Sequence, residues 1–115
     1  MEKMNVKPAT GKLGVLCVGL GAVTSTFMTG VLMARKGLAK PVGSMTQYDK
    51  MRVGRGENKK YLHYGEIVPL ANLNDIVFGA WDVYPANAYE SAVNAEVLKE
   101  KDINPVKDEL EKIVP

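Results

Sequence analysis

Residues 13–35, LGVLCVGLGAVTSTFMTGVLMAR, constrain this chain more than any other stretch. They read as a buried strand, a glycine turn and the first helix of an α/β unit. Leu13, Val15, Leu16, Cys17 and Val18 form an apolar run with enough β-branched residues to predict a strand buried on both faces. Gly19-Leu20-Gly21 follows at once. The first glycine permits a tight turn, and the second lets a phosphate reach the backbone without meeting a Cβ. Thr24, Ser25 and Thr26 then open a helix whose apolar residues Phe27, Val31 and Leu32 recur at helical spacing. Its free N–H groups and positive dipole end suit a pyrophosphate.

The turn departs from GxGxxG, which would place glycine where this chain has Thr24. A hydroxyl residue there gives up close helix–strand packing and adds a phosphate donor. A GxG pair alone also fits an ordinary β–α turn; its position between an apolar strand and a helix favours a dinucleotide. A competing reading takes residues 13–34 as a membrane or export segment. They carry no charge, could span a bilayer, and follow Lys3, Lys7 and Lys12. Glycines at 14, 19, 21 and 30 and the Thr24-Ser25-Thr26 cluster argue against it, because they split the signal into a strand-length and a helix-length piece.

The length of 115 residues allows at most one small domain. Residues 1–12 read as a polar arm, and residues 13–115 as one partial dinucleotide-binding domain. Hydrophobic content of 46% and charged content of 24% are those of a soluble globular protein. A net charge of +2 argues neither for nor against nucleic acid, and no nucleic-acid or membrane partner is expected. Cys17 is the single cysteine, so no internal disulfide can form, which fits a cytoplasmic protein. The first helix should end near Lys36-Gly37, with glycine in the left-handed cap position.

Residues 42–66 are the least regular part. A ribose-binding acid is expected roughly 20 positions after the glycines, yet no Asp or Glu stands between Glu2 and Asp49. The usual second strand is therefore missing or replaced by an insertion. Lys50, Arg52, Arg55, Lys59 and Lys60 read as a solvated loop or as a phosphate grip. His63, the only histidine, reads as structural, and residues 66–70 as a short edge strand limited by Pro69.

Residues 76–82, IVFGAWD, predict a second strand, parallel to the first, with Asp82 at its carboxyl end. Such ends face the ligand crevice of an α/β sheet. Asp82 thus reads either as a ribose acceptor or as the start of a turn toward Pro85. From Ala86 the pattern turns helical through Leu98, with Lys99 and Lys101 in the last turn. Asn104-Pro105 predicts an N-cap and first residue of a final helix, with an Asp108–Lys112 pair along it.

Together these residues resemble the myo-inositol-1-phosphate synthase family in its prokaryotic branch. Val18-Gly19-Leu20-Gly21-Ala22-Val23-Thr24-Ser25-Thr26, with Met28-Thr29-Gly30 behind it, is similar to that family's NAD-phosphate loop and helix. Phe78-Gly79-Ala80-Trp81-Asp82-Val83 is similar to its FGGWDI-type strand end, and Asn87-Ala88-Tyr89-Glu90-Ser91-Ala92 to its NAYEAA helix start. Order and spacing fit over nearly the whole chain.

The resemblance implies a Rossmann-like parallel sheet with flanking helices, NAD as cofactor, and glucose 6-phosphate as substrate. The sugar is oxidised, enolised, closed by an intramolecular aldol step and reduced again, giving inositol 1-phosphate with NAD retained. It also implies a homo-oligomer, a tetramer. Members are several times longer and carry catalytic lysines in a second α+β domain, to which nothing here corresponds. The chain is then the N-terminal part of such an enzyme, with its catalytic residues elsewhere. The expected cofactor contacts are Gly19, Leu20, Gly21, Ala22, Val23, Thr24 and Ser25 on the diphosphate and Asp82 on the ribose. Eukaryotic members have an Asn- and Gly-rich loop where this chain has Ala22-Val23-Thr24. Another NAD(P)-dependent oxidoreductase, with the basic loop on a 2′-phosphate, is the alternative enzyme.

Overall fold

A computed structural model describes residues 6–115. Residues 1–5 of the expected arm, Lys3 among them, lie outside the described residues. The chain runs through β1 (Leu13–Val18), α1 (Ala22–Arg35), α2 (Met45–Tyr48), β2 (Lys50–Val53), β3 (Lys60–His63), α3 (Tyr64–Ile67), β4 (Ile76–Trp81), α4 (Ala88–Ala95), α5 (Glu100–Ile103) and α6 (Lys107–Glu111). Strands β1 and β4 pair in parallel from Leu13↔Ile76 to Val18↔Trp81, as expected of an α/β unit. The uncharged run 13–34 is divided between β1, the glycine turn and α1, and among the described residues no helix is long and apolar enough to cross a membrane. The stretch is thus strand, turn and helix of an α/β unit and not one continuous segment.

One face of the sheet is covered. Cys17, Phe78 and Ala80 pack against a core of Leu20, Met28, Leu32, Ala88, Ala92, Ile103, Val106 and Leu110. Each large side chain buried there stabilises the fold by about 1.5–3 kcal/mol. Phe27 meets Phe78 edge-on, with ring centroids 5.7 Å apart. The opposite face is open: Leu16 is 67% exposed and Val18 86%. The expectation of a strand buried on both faces is thus corrected. Successive residues of a strand point to opposite faces, and the helices α1 and α4 supply a layer on one side only.

The stripe that α1 buries is Ser25, Met28, Thr29 and Leu32, not the Phe27-Val31-Leu32 set that hydrophobicity picked out. Two of the four are hydroxyl residues. They sit inside without an unsatisfied donor because Ser25 Oγ donates to Gly21 O at 2.7 Å and Thr29 Oγ1 to Ser25 O at 2.7 Å. Helix α1 closes as expected: Leu38 N donates to Met33 O and Gly37 N to Ala34 O, with Gly37 at φ 70°. Lys36 then reaches across to Pro105 O at 2.8 Å and Glu109 Oε1 at 2.7 Å, tying α1 to the C-terminal helices. Arg35 donates to Leu73 O and Ile76 O at the start of β4.

The irregular region holds an antiparallel hairpin, β2 with β3. It stands where the usual unit has a second parallel strand, which the sequence read as missing or replaced by an insertion. All of β2 is exposed, so Lys50 and Arg52 are solvated, as are Arg55, Lys59 and Lys60. The backbone N–H of His63 donates to Glu66 Oε2 at 2.7 Å at the start of α3. The edge strand expected at 66–70 is corrected: Glu66 and Ile67 finish α3, and no strand follows before β4.

Two helix boundaries also differ. Asn87 caps α4, accepting from Glu90 N at 2.9 Å, but the helix stops at Ala95 because Glu96 turns left-handed at φ 56°. Asn104 is not an N-cap. It lies at φ −56°, ψ −36° as α5 ends, and Pro105 falls in a 3₁₀ turn leading to α6. The ion pair along α6 is Lys107–Glu111 at 3.7 Å, one residue before the expected pair.

Candidate cofactor site

The parallel pairing brings the glycine turn beside the end of β4. Gly19 N donates to Trp81 O at 2.6 Å, and its φ of 98° is a conformation that side chains resist. Leu20 turns its side chain into the core at 3% exposure, while its N–H donates to Asp82 Oδ2 at 2.7 Å. Gly21 is the N-cap of α1, at φ −102° and ψ −152°, and has no side chain to cap with. A Cβ built on it would meet nothing within 4 Å. The protein itself therefore leaves this space free; only an added group would make glycine necessary there. Ala22, Val23 and Thr24 carry the first N–H groups of α1, which have no intrahelical acceptor. Together with the dipole, that makes an anion cradle.

Asp82 follows β4 directly. Besides the bond from Leu20, its Oδ1 accepts from Tyr84 N at 3.1 Å, an Asx turn toward Pro85. The Leu20 N–H, and after it the Tyr84 N–H, holds the carboxyl below the usual carboxylate range. It is ionised at neutral pH. Each oxygen can accept a second bond, so acceptor capacity for a diol remains beside the turn role.

A cleft of about 370 Å³ opens here, lined by Leu20, Gly21, Ala22, Asp82, Tyr84 and Ser91 of α4 among others. A second hollow on the other side of Asp82 is lined by Val18, Gly19, Trp81 and Val83. The structure thus gathers Leu20, Gly21, Ala22 and Asp82 around one cleft, with Gly19 at the neighbouring hollow and Val23 exposed at the helix start. Ser25 points elsewhere. Its N–H and its hydroxyl both donate to Gly21 O, and the residue is fully buried. Thr26 likewise bonds Ala22 O at 2.6 Å. The basic residues of the hairpin line neither hollow. The Leu20–Asp82 bond had no signal in the sequence, its ends being 62 residues apart.

A family model described as myo-inositol-1-phosphate synthase, and built on its NAD-binding region, matches residues 13–115. The chain is 60% identical over 114 residues to inositol-3-phosphate synthase 1 of Bacteroides thetaiotaomicron, covering 98% of this chain and 26% of that protein. It is 34% identical over 116 residues to inositol-3-phosphate synthase 1 of Oryza sativa subsp. japonica, covering 90% and 23%. The crystal structure of inositol-3-phosphate synthase from Caenorhabditis elegans superposes with a TM-score of 0.75 at 28% identity, over 95% of this chain and 24% of that one. The chain spans about a quarter of the length of these relatives.

Proposed function

The chain belongs to the myo-inositol-1-phosphate synthase family, and we propose that it forms the NAD-binding segment of an inositol-3-phosphate synthase. The observation that carries this reading is the joining of the open Gly21 N-cap and the ionised Asp82 at the carboxyl ends of two parallel strands. The N–H groups of Gly21, Ala22, Val23 and Thr24 hold the NAD diphosphate, with the Thr24 hydroxyl as a further donor. Gly19 shapes the turn and Leu20 anchors it in the core. Asp82 accepts from the adenosine ribose diol. A charged acceptor makes such bonds about twice as strong as neutral ones, and it repels a 2′-phosphate, so the site prefers NAD to NADP. Ser25 supports the first turn of α1 from inside.

When bound, NAD supplies hydride acceptance and return in the conversion of glucose 6-phosphate to myo-inositol 1-phosphate. This chain's part is to hold and orient it; the groups that act on the sugar belong to the remaining length of the enzyme. We place that enzyme in the cytoplasm and, following the family resemblance, as a homotetramer. The test is the full-length enzyme, assayed for NAD binding by calorimetry and for NAD-dependent formation of inositol phosphate from glucose 6-phosphate. Binding and turnover are expected. A folded enzyme that neither binds NAD nor converts the sugar would refute the reading.

A further inference from the structure

We infer that Asp82 is a positioning residue for the glycine turn: its carboxylate ties the Leu20 N–H to the end of β4 and thereby fixes the backbone that carries the diphosphate. The inference rests on the NAD reading above and adds to it, because a ribose acceptor alone would leave the turn unaffected.

Between β1 and α1, two bonds run to β4: Gly19 N to Trp81 O at 2.6 Å and Leu20 N to Asp82 Oδ2 at 2.7 Å. The first needs only a backbone carbonyl at position 81. The second needs this side chain. At most helix starts an Asp, Ser, Thr or Asn fixes the first turn from the N-cap position, but here the N-cap is Gly21, which has no such group. Asp82, directly after β4, instead restrains Leu20, the residue before the cap. Its own orientation is set by the Tyr84 N–H on Oδ1, and the buried Leu20 side chain anchors the residue it holds. Without the carboxylate the Leu20 N–H loses its partner, and the Gly19–Leu20 peptide can reorient about a glycine. Gly21, Ala22 and Val23, the next donors along, would then meet the diphosphate from a mobile base.

The experiment compares Asp82→Asn and Asp82→Ser in the full-length enzyme with two ligands: NAD, and NAD lacking both hydroxyls of the adenosine ribose. Asn keeps an Asx turn with a single oxygen acceptor. Ser can keep the turn to Tyr84 but is too short for Leu20, so one variant serves if the other fails to fold. The dideoxy ligand offers no diol, so any weakening that persists with it cannot come from the ribose. We expect both variants to bind NAD roughly tenfold more weakly and the dideoxy ligand roughly fivefold more weakly. A simple loss of folded enzyme would lower the calorimetric stoichiometry and leave the affinity of the remaining sites unchanged, so the two effects are read apart. Variants that bind the dideoxy ligand as tightly as the wild type would overturn the inference and leave Asp82 as a ribose acceptor only. Variants that bind both ligands normally would also overturn it. A wild-type enzyme that binds neither would instead overturn the NAD reading.

Discussion

Replacing Gly21 by Val separates what the protein needs from what its cofactor needs. The backbone at Gly21, φ −102° and ψ −152°, is open to any residue, and a Cβ there has no neighbour within 4 Å. The cost to stability is then confined to the weaker N-cap preference of Val, below about 1 kcal/mol. With NAD bound, the branched Cβ occupies the space the phosphate must enter. A tenfold or greater loss of affinity follows, roughly 1.4 kcal/mol. Gly19 gives the opposite pattern. Its φ of 98° strains any side chain, so Gly19→Ala should cost about 1–3 kcal/mol of stability and weaken NAD binding through the turn. Thermal unfolding and calorimetric NAD titration of both variants of the full-length enzyme read the two quantities separately. A folded Gly21→Val enzyme with wild-type NAD affinity would refute the phosphate assignment.

Asp82→Asn should weaken NAD binding and lower the NAD:NADP affinity ratio, because the variant no longer repels a 2′-phosphate; an unchanged ratio would remove the selectivity argument. Met28 is fully buried in the core, so Met28→Ala should destabilise by about 2–5 kcal/mol, read by denaturant unfolding. A loss under 1 kcal/mol would mean that the surroundings collapse into the gap. The hydrogen bond from Lys36 holds the Glu109 carboxyl below its ordinary range. Its folded value is depressed, so the stabilisation is present above the ordinary carboxylate range and disappears as pH falls through the lower folded value. Melting curves of wild type and Glu109→Gln should therefore differ at neutral pH and converge in acid; a pH-independent gap would contradict the assignment.

The elements with strong local signals were legible from sequence: the apolar runs of β1 and β4, the glycine turn, and the glycine cap of α1. So was Asp82 at the end of its strand. What escaped had non-local causes. The inner face of α1 hides two hydroxyl residues, which hydropathy counts as polar although the preceding turn satisfies them. The end of α4 depends on Glu96 turning left-handed, which no composition rule favours. The hairpin lies in a basic stretch whose strands are almost wholly exposed, so no buried face marks them in the sequence. At the site, positions were readable but hydrogen-bond partners were not: Ser25 spends its donors on Gly21, and Asp82 serves Leu20.

The pairing of β1 with β4 sets the order in which this chain can fold. The glycine turn is fixed by residues 62 positions downstream, so the nascent chain cannot complete this turn until β4 has been made and docked. Closing such a loop costs entropy that grows only as the logarithm of its length. The hairpin inside it, even if formed early, shortens it too little to matter, about 0.2 kcal/mol on that scale. The turn therefore takes its final shape only once these two distant strands have met. A ligand that binds only the closed arrangement stabilises it by mass action, about 2.7 kcal/mol at a hundredfold excess over Kd. On the reading proposed above, NAD would then act on the folding equilibrium as well, by holding β1 and β4 in register at the turn.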